Sequence, residues 1–200
     1  MGITAEHEQA ATPAWLTHVE QTEGWLSADE ARLLHDLASG VTRGCIVEIG
    51  AYRGRSTIAL SAGAPDGIGV HSIDPHAEMW IGERLAFRGP EDRRAFFESM
   101  IRSGAWRNVS LLNSTSAAIA PGWNTPVEML WIDGDHSHRG VRADWDAWQP
   151  HLLRGAAVVF DDAHDPAIGP QALIGELLES GTVEHIRNVG KVRAVRFCGV

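Results

Sequence analysis

The chain has few cysteines, no long apolar run and no excess of basic charge, and each shortage excludes something. Two cysteines occur among 200 residues, Cys45 and Cys198, each inside an apolar stretch, so no disulfide framework is in play and buried free thiols are expected. No run approaches the roughly 18 consecutive apolar residues of a membrane span, and the first residues, MGITAEHEQAATPAW, lack the basic start and apolar core of a signal peptide. The expectation is a protein of the cytoplasm with no membrane partner. Acidic residues outnumber basic ones 26 to 17, for a formal charge of −9. That balance argues against a nucleic-acid partner, which favours a basic face. The one basic cluster, Arg84, Arg88, Arg93 and Arg94, reads as a solvated helix face. No internal repeat or low-complexity tract is present, and 44% hydrophobic residues over this length suit one globular domain, residues 1–200.

The order of elements is legible from periodicity and punctuation. Residues 1–13 read as a loose arm. Ser27 and Glu30 form a capping box ahead of Leu33, Leu34 and Leu37, and Gly40 closes that helix. CIVEIG (45–50) is a short apolar run ending in glycine, as a buried parallel strand ends. Further strands follow at 67–74, 109–113, 127–133 and 155–162, with helical patterns after the first, over 91–104 and over 138–153. The stretch from Pro75 to about residue 90 reads as a loop or lid. TVEHIRNVGKVRAVRFCGV turns at Asn188-Val189-Gly190 and reads as an antiparallel hairpin. Alternating strands and helices imply an α/β, Rossmann-like, doubly wound and mostly parallel seven-stranded sheet, with helices on both faces and the hairpin at its end. Residues 1–40 form the N-terminal arm and helices, and 42–198 the core.

In such sheets ligands bind outside the carboxyl ends of the strands, at the switch point. VEIGAYRGRST places Glu48, Gly50 and Gly54 where the first strand turns into its helix. Asp74, at the tip of the second strand, suits a pair of ribose hydroxyls. The Gly50-x-x-x-Gly54 spacing does not meet the dinucleotide fingerprint G-x-G-x-x-G. A bare glycine pair is also compatible with a plain tight turn. An acid and glycine at one strand tip with a second acid at the next points to a nucleoside ligand without a pyrophosphate.

These residues, with HSIDPH, LLNSTS, LWIDGDHSHRGVRADWDAW and GAAVVFDDAH, resemble class I S-adenosylmethionine-dependent methyltransferases over about residues 42–198. The likeness is strongest to the metal-dependent macrolide-sugar O-methyltransferases. The resemblance implies a cofactor site of Glu48, Gly50, Ala51, Tyr52, Gly54, Ser56, Asp74, Ser114 and Asp133, with Asp74 on the ribose and Ser114 near the adenine. It also implies a metal held by Asp133, Asp161 and Asp162, and His136 as general base, since Asp133-x-x-His136 and the pair after the next strand match that branch. The residues agree by themselves: three carboxylates converging at one sheet edge repel unless a cation stands among them, and hard oxygen ligands suit Mg²⁺.

The expected reaction is methylation of a hydroxyl on a sugar, oligosaccharide or glycosylated natural product. A catechol-type O-methyltransferase, or a hydroxylase- or hydrolase-like metal enzyme on the same fold, is the alternative. Asp135 and His138 are balanced between site and helix cap; His76 and His164 are open between partner and loop residue. Trp80 and Trp123 are candidates to stack on a sugar ring. The N-terminal helices, with Trp15, Leu16, Trp25 and Leu26, are expected to form the interface of a homodimer.

Overall fold

A computed structural model describes residues 12–199; the arm expected over 1–13 lies almost wholly outside them. In chain order the elements are α1 (Ala14–Gln21), α2 (Ala28–Ser39), β1 (Cys45–Ile49), α3 (Arg55–Gly63), β2 (Val70–Ile73), β3 (Glu78–Ile81), β4 (Arg84–Arg88), α4 (Pro90–Ser103), β5 (Val109–Leu112), α5 (Ser116–Ile119), β6 (Val127–Ile132), α6 (His138–Trp148), β7 (Leu152–Phe160), α7 (Gly169–Glu179), β8 (Val183–Val189) and β9 (Val192–Phe197). Seven strands make one sheet in the order β5-β2-β1-β6-β7-β9-β8. The first five run parallel, and β9 runs antiparallel to both of its neighbours, β7 and β8. This is the doubly wound sheet with a closing hairpin that the sequence implies.

Both faces of the sheet are covered, which is why the strands read as near-continuous apolar runs. Period two divides each strand between two cores. Ile46, Val70, Met129, Trp131 and Val159 pack with α1 to α4. Cys45, Val47, Ile49, Leu130, Ile132, Val158 and Phe160 pack with Val141, Trp145 and Leu173 of α6 and α7. The capping box forms as read: Ser27 Oγ accepts from the Glu30 N–H, and Glu30 Oε2 accepts from the Ser27 N–H at 2.7 Å.

The structure departs from the sequence reading in several places. Residues 78–88 form a two-stranded antiparallel hairpin, β3–β4, where a loop or lid was expected. Helix α7 fills a stretch to which the pattern assigned no element. Leu16 and Leu26, two of the expected interface residues, are spent in the chain's own core. Trp15 stacks on His35 at 4.5 Å, which leaves Trp25 as the one of the four that is largely exposed, at 67%. Trp123 lies between α5 and β6, at the amino edge of the sheet, packed on Trp148 and His71. That position removes it from the ligand edge. Trp80 stands in β3, and its side chain lies outside what is described. Cys45 and Cys198 are free thiols, as expected; Cys45 is buried, whereas Cys198 is only half-buried. No described helix is long and apolar enough to cross a membrane.

Candidate active site

The chain leaves β1 for β2 on one side and returns to β6 on the other, so a crevice opens between the carboxyl ends of β1 and β6. Gly50 permits this junction. Its φ is +87°, and a Cβ there would lie 2.0 Å from the Asp133 carbonyl oxygen. The glycine therefore admits the end of β6, not only a ligand.

The turn after β1 is wired to the tip of β2. Asp74 Oδ2 accepts from the N–H groups of Ala51 (3.0 Å) and Tyr52 (2.7 Å), and Asp74 Oδ1 accepts from the His76 N–H (2.7 Å). Three of the roughly four lone-pair positions of this carboxylate are thus in use. A ribose hydroxyl would share the remaining capacity. Tyr52 takes a left-handed backbone (φ 47°), and its carbonyl lies 2.7 Å from His76 Nε2. His76 is therefore a buried brace of the turn. Ser114 follows β5, whose Leu112 carbonyl receives the Asp74 N–H, so it stands beside Asp74 on the same edge.

Glu48 and Ser56 stand behind the turn. The Glu48 carboxylate is wholly buried and accepts from Ser56 Oγ (2.5 Å), Thr57 Oγ1 (2.6 Å) and Ser72 Oγ (2.5 Å). It ties α3 and β2 to β1. Burial pushes its pKa up to about 6 although the three hydroxyls pull it down. Over the turn lies an aromatic rim. Tyr52 sits 5.3 Å from Trp25 and 5.4 Å from Phe87 of the β3–β4 hairpin.

The acidic cluster is assembled from the ends of β6 and β7. His136 lies between two aspartates, with Nε2 3.2 Å from Asp133 Oδ1 and Nδ1 3.0 Å from Asp162 Oδ2. The hydrogen bond to Asp133 raises the imidazole pKa, against burial, and the charges of the three aspartates add to the rise. Desolvation and the charge of Asp161 push the Asp133 carboxyl up, while His136 and Lys191 draw it down. Asp133, His136 and Asp161 each offer a ligand atom within 4.8 Å of the others. Asp161 Oδ1 is buried and has no hydrogen-bond partner. Clustered oxygen donors, one of them orphaned, fit a divalent cation. Asp162 differs, because both its oxygens are engaged by protein groups.

One of those groups is Lys191, which the sequence reading missed. It enters from the turn between β8 and β9, with Nζ 2.5 Å from Asp161 Oδ2 and 3.1 Å from Asp162 Oδ1. Its signal in the sequence was its singularity: it is the one lysine in the chain, against sixteen arginines.

The remaining candidates fall outside the cluster. Asp135 Oδ1 accepts from the Ser137 N–H ahead of α6, a capping role. His138 Nε2 lies 2.8 Å from Glu176 Oε1 of α7, an exposed pair between helices. His164 is exposed. Arg93 and Arg94 bond to Asn113 and Glu98 on a solvated face of α4. A depression of about 410 Å³ near Trp15, Ser61, Asp66 and Arg107 lies at the far end of α3, remote from the carboxylates.

A family described as a methyltransferase domain matches residues 47–163, from within β1 to just past Asp162. The chain belongs to this family. The matched span holds the methyltransferase turn, the β2 acid and all three aspartates, and stops short of Lys191. Among solved structures, a Corynebacterium glutamicum protein is 17% identical with a TM-score of 0.72, covering 96% of this chain and 93% of its own. The O-methyltransferase TomG from Streptomyces achromogenes, involved in tomaymycin synthesis and solved with S-adenosylmethionine, is 18% identical (TM-score 0.70; 96% and 93% covered). An O-methyltransferase from Bacillus cereus, solved with S-adenosylhomocysteine, is 16% identical (TM-score 0.71; 95% and 93% covered). These likenesses show that this methyltransferase shares their fold.

Proposed function

We propose that the chain is an S-adenosylmethionine-dependent O-methyltransferase that acts, with a divalent cation such as Mg²⁺, on a hydroxyl of a sugar or glycosylated natural product. The observation that carries this reading is the carboxylate–imidazole cluster joined through the Gly50–Asp133 contact to the methyltransferase turn. The cofactors bound by the two O-methyltransferases of like fold support the choice of methyl donor.

The turn of Gly50, Ala51, Tyr52 and Gly54, with Asp74 and Ser114, would hold the cofactor, and Glu48 and Ser56 keep that turn in place from behind. Asp133, Asp161 and Asp162 would hold the cation. A bound divalent cation supplies Lewis acidity that stabilises the alkoxide of a sugar hydroxyl, a poor nucleophile at neutral pH. His136 would take the acceptor proton at Nε2, the nitrogen that faces Asp133 Oδ1 at 3.2 Å and becomes available when that carboxylate turns to the cation, while Asp162 on Nδ1 orients the ring. The remaining demand is in-line alignment of hydroxyl and methyl, a matter of positioning. Asp133, His136 and Asp162 each keep about 30% of their side chains exposed. An open polar site of this kind suits a sugar better than the flat apolar slot a phenol prefers.

The test is methyl transfer from labelled S-adenosylmethionine to a panel of sugar and phenol acceptors, with chelator and with added Mg²⁺. Label on sugars that disappears in chelator and returns with Mg²⁺ is expected. Full transfer in excess chelator would remove the cation, and label on phenols alone would remove the sugar.

A further inference from the structure

The acidic cluster already contains a cation that belongs to the chain. The Lys191 ammonium holds Asp161 Oδ2 and Asp162 Oδ1, oxygens of two of the residues assigned above to a divalent ion. Its placement is built in. The Lys191 N–H donates to Glu30 Oε1 of α2 at 2.9 Å, and its carbonyl accepts from the Ala163 N–H at 2.8 Å, so the residue is pinned from both sides. Gly190 before it has φ +52°, the left-handed backbone that favours glycine, and lies against the Glu30 side chain. On the other side of the ion pair, Asp162 is held in a left-handed backbone (φ 46°). Both partners are thus aimed by the backbone.

Two positive charges cannot share one pair of carboxylates at these distances without strong repulsion. We propose that Lys191 is a resident competitor for the cation position: a divalent ion can reach the unpartnered Asp161 Oδ1, but it gains Asp161 Oδ2 and Asp162 Oδ1 only by displacing the ammonium, and Lys191 thereby sets how tightly the metal is held. The choice of side chain fits this role. A guanidinium would clamp two carboxylates with a rigid fork, whereas an ammonium on a flexible stem is a point charge that can leave. A chain that uses arginine at every other basic position uses lysine here.

The inference rests on the cation reading of the proposed function, and the experiment separates the two. Mn²⁺ alone is titrated calorimetrically into the full wild-type chain and into Lys191→Met, Lys191→Gln and Lys191→Arg. Both neutral variants are expected to bind Mn²⁺ at least tenfold more tightly than wild type, and Lys191→Arg more weakly than wild type. Tight binding by a neutral variant where wild type binds none also supports competition. Equal or weaker binding by the folded neutral variants overturns it and leaves the cation reading standing if wild type binds Mn²⁺. No binding by any of the proteins at millimolar Mn²⁺ overturns both. A second measurement needs no variant: the rate of Lys191 acetylation, followed by mass spectrometry, is expected to rise several-fold at Mn²⁺ concentrations that saturate wild type. An unchanged rate there overturns the competition.

Discussion

At Glu48 and His136 the same chemistry, an ionisable group among polar neighbours, has opposite consequences. Glu48 is sealed in the sheet with its pKa raised from an ordinary 4.5 to about 6. A carboxyl with a raised folded pKa favours the protonated native state, so its contribution to stability falls as pH rises from about 4.5 to about 6 and stays low above that. The interval is worth about 2 kcal/mol. Glu48→Gln has no such charge to bury. Its stability relative to wild type should improve by about 2 kcal/mol between pH 4.5 and 7, as read by urea melts at both; a difference that does not change with pH would refute the buried charge. His136 is partly open and flanked by aspartates that favour its proton. His136→Ala should lower the methyl-transfer rate by roughly 10²–10⁴-fold. Retained Mn²⁺ affinity in that variant separates a base from a ligand, and a near-wild-type rate removes the base.

Among the elements, the junction of β1 and β6 is the most tightly built. Gly50→Ala combines a positive φ with a Cβ driven into the Asp133 carbonyl, and should cost about 2–5 kcal/mol. Gly67 has the same φ, +87°, and open space around it, so Gly67→Ala should cost only the backbone term, about 1–2 kcal/mol. Equal losses in thermal unfolding would mean that the close approach at Gly50 contributes nothing. The parallel strands were legible because strands buried on both faces leave near-continuous apolar runs that end in Gly50, Asp74 or Asp133. The carboxylates were legible for the same reason, since they stand where those runs stop. The β3–β4 hairpin was not: its alternation is short, and Arg84 and Arg88 fall where charged residues suggest a helix face. Trp123 was misplaced because composition does not tell the carboxyl edge from the amino edge. Lys191 was hidden because its partners lie 30 residues back, across a strand pairing that no local pattern records.

For the whole molecule, cofactor binding and stability are linked, because the proposed cofactor contacts span β1, β2 and β5. At about one hundred times its dissociation constant, S-adenosylhomocysteine should stabilise the fold by about 2.7 kcal/mol. That gain corresponds to a rise in Tm of roughly 5–10 °C for a chain of this size. In Asp74→Ala the rise at the same concentration should shrink markedly, and an unchanged rise would remove Asp74 from the ribose.

The hydrogen bond from the Lys191 N–H to Glu30 joins residues 161 positions apart. Synthesis runs from the N-terminus at about 5–20 residues per second, so α2 and all three aspartates are made before residue 191 exists. Until then the acidic cluster has no internal cation, and Glu30 has no turn to grip. Completion of the β8–β9 hairpin is therefore the step that brings an ammonium to the cluster and fastens these two strands to α2. A nascent chain interrupted before Lys191 would carry every residue of the matched family span and still present an unfinished, more negative site.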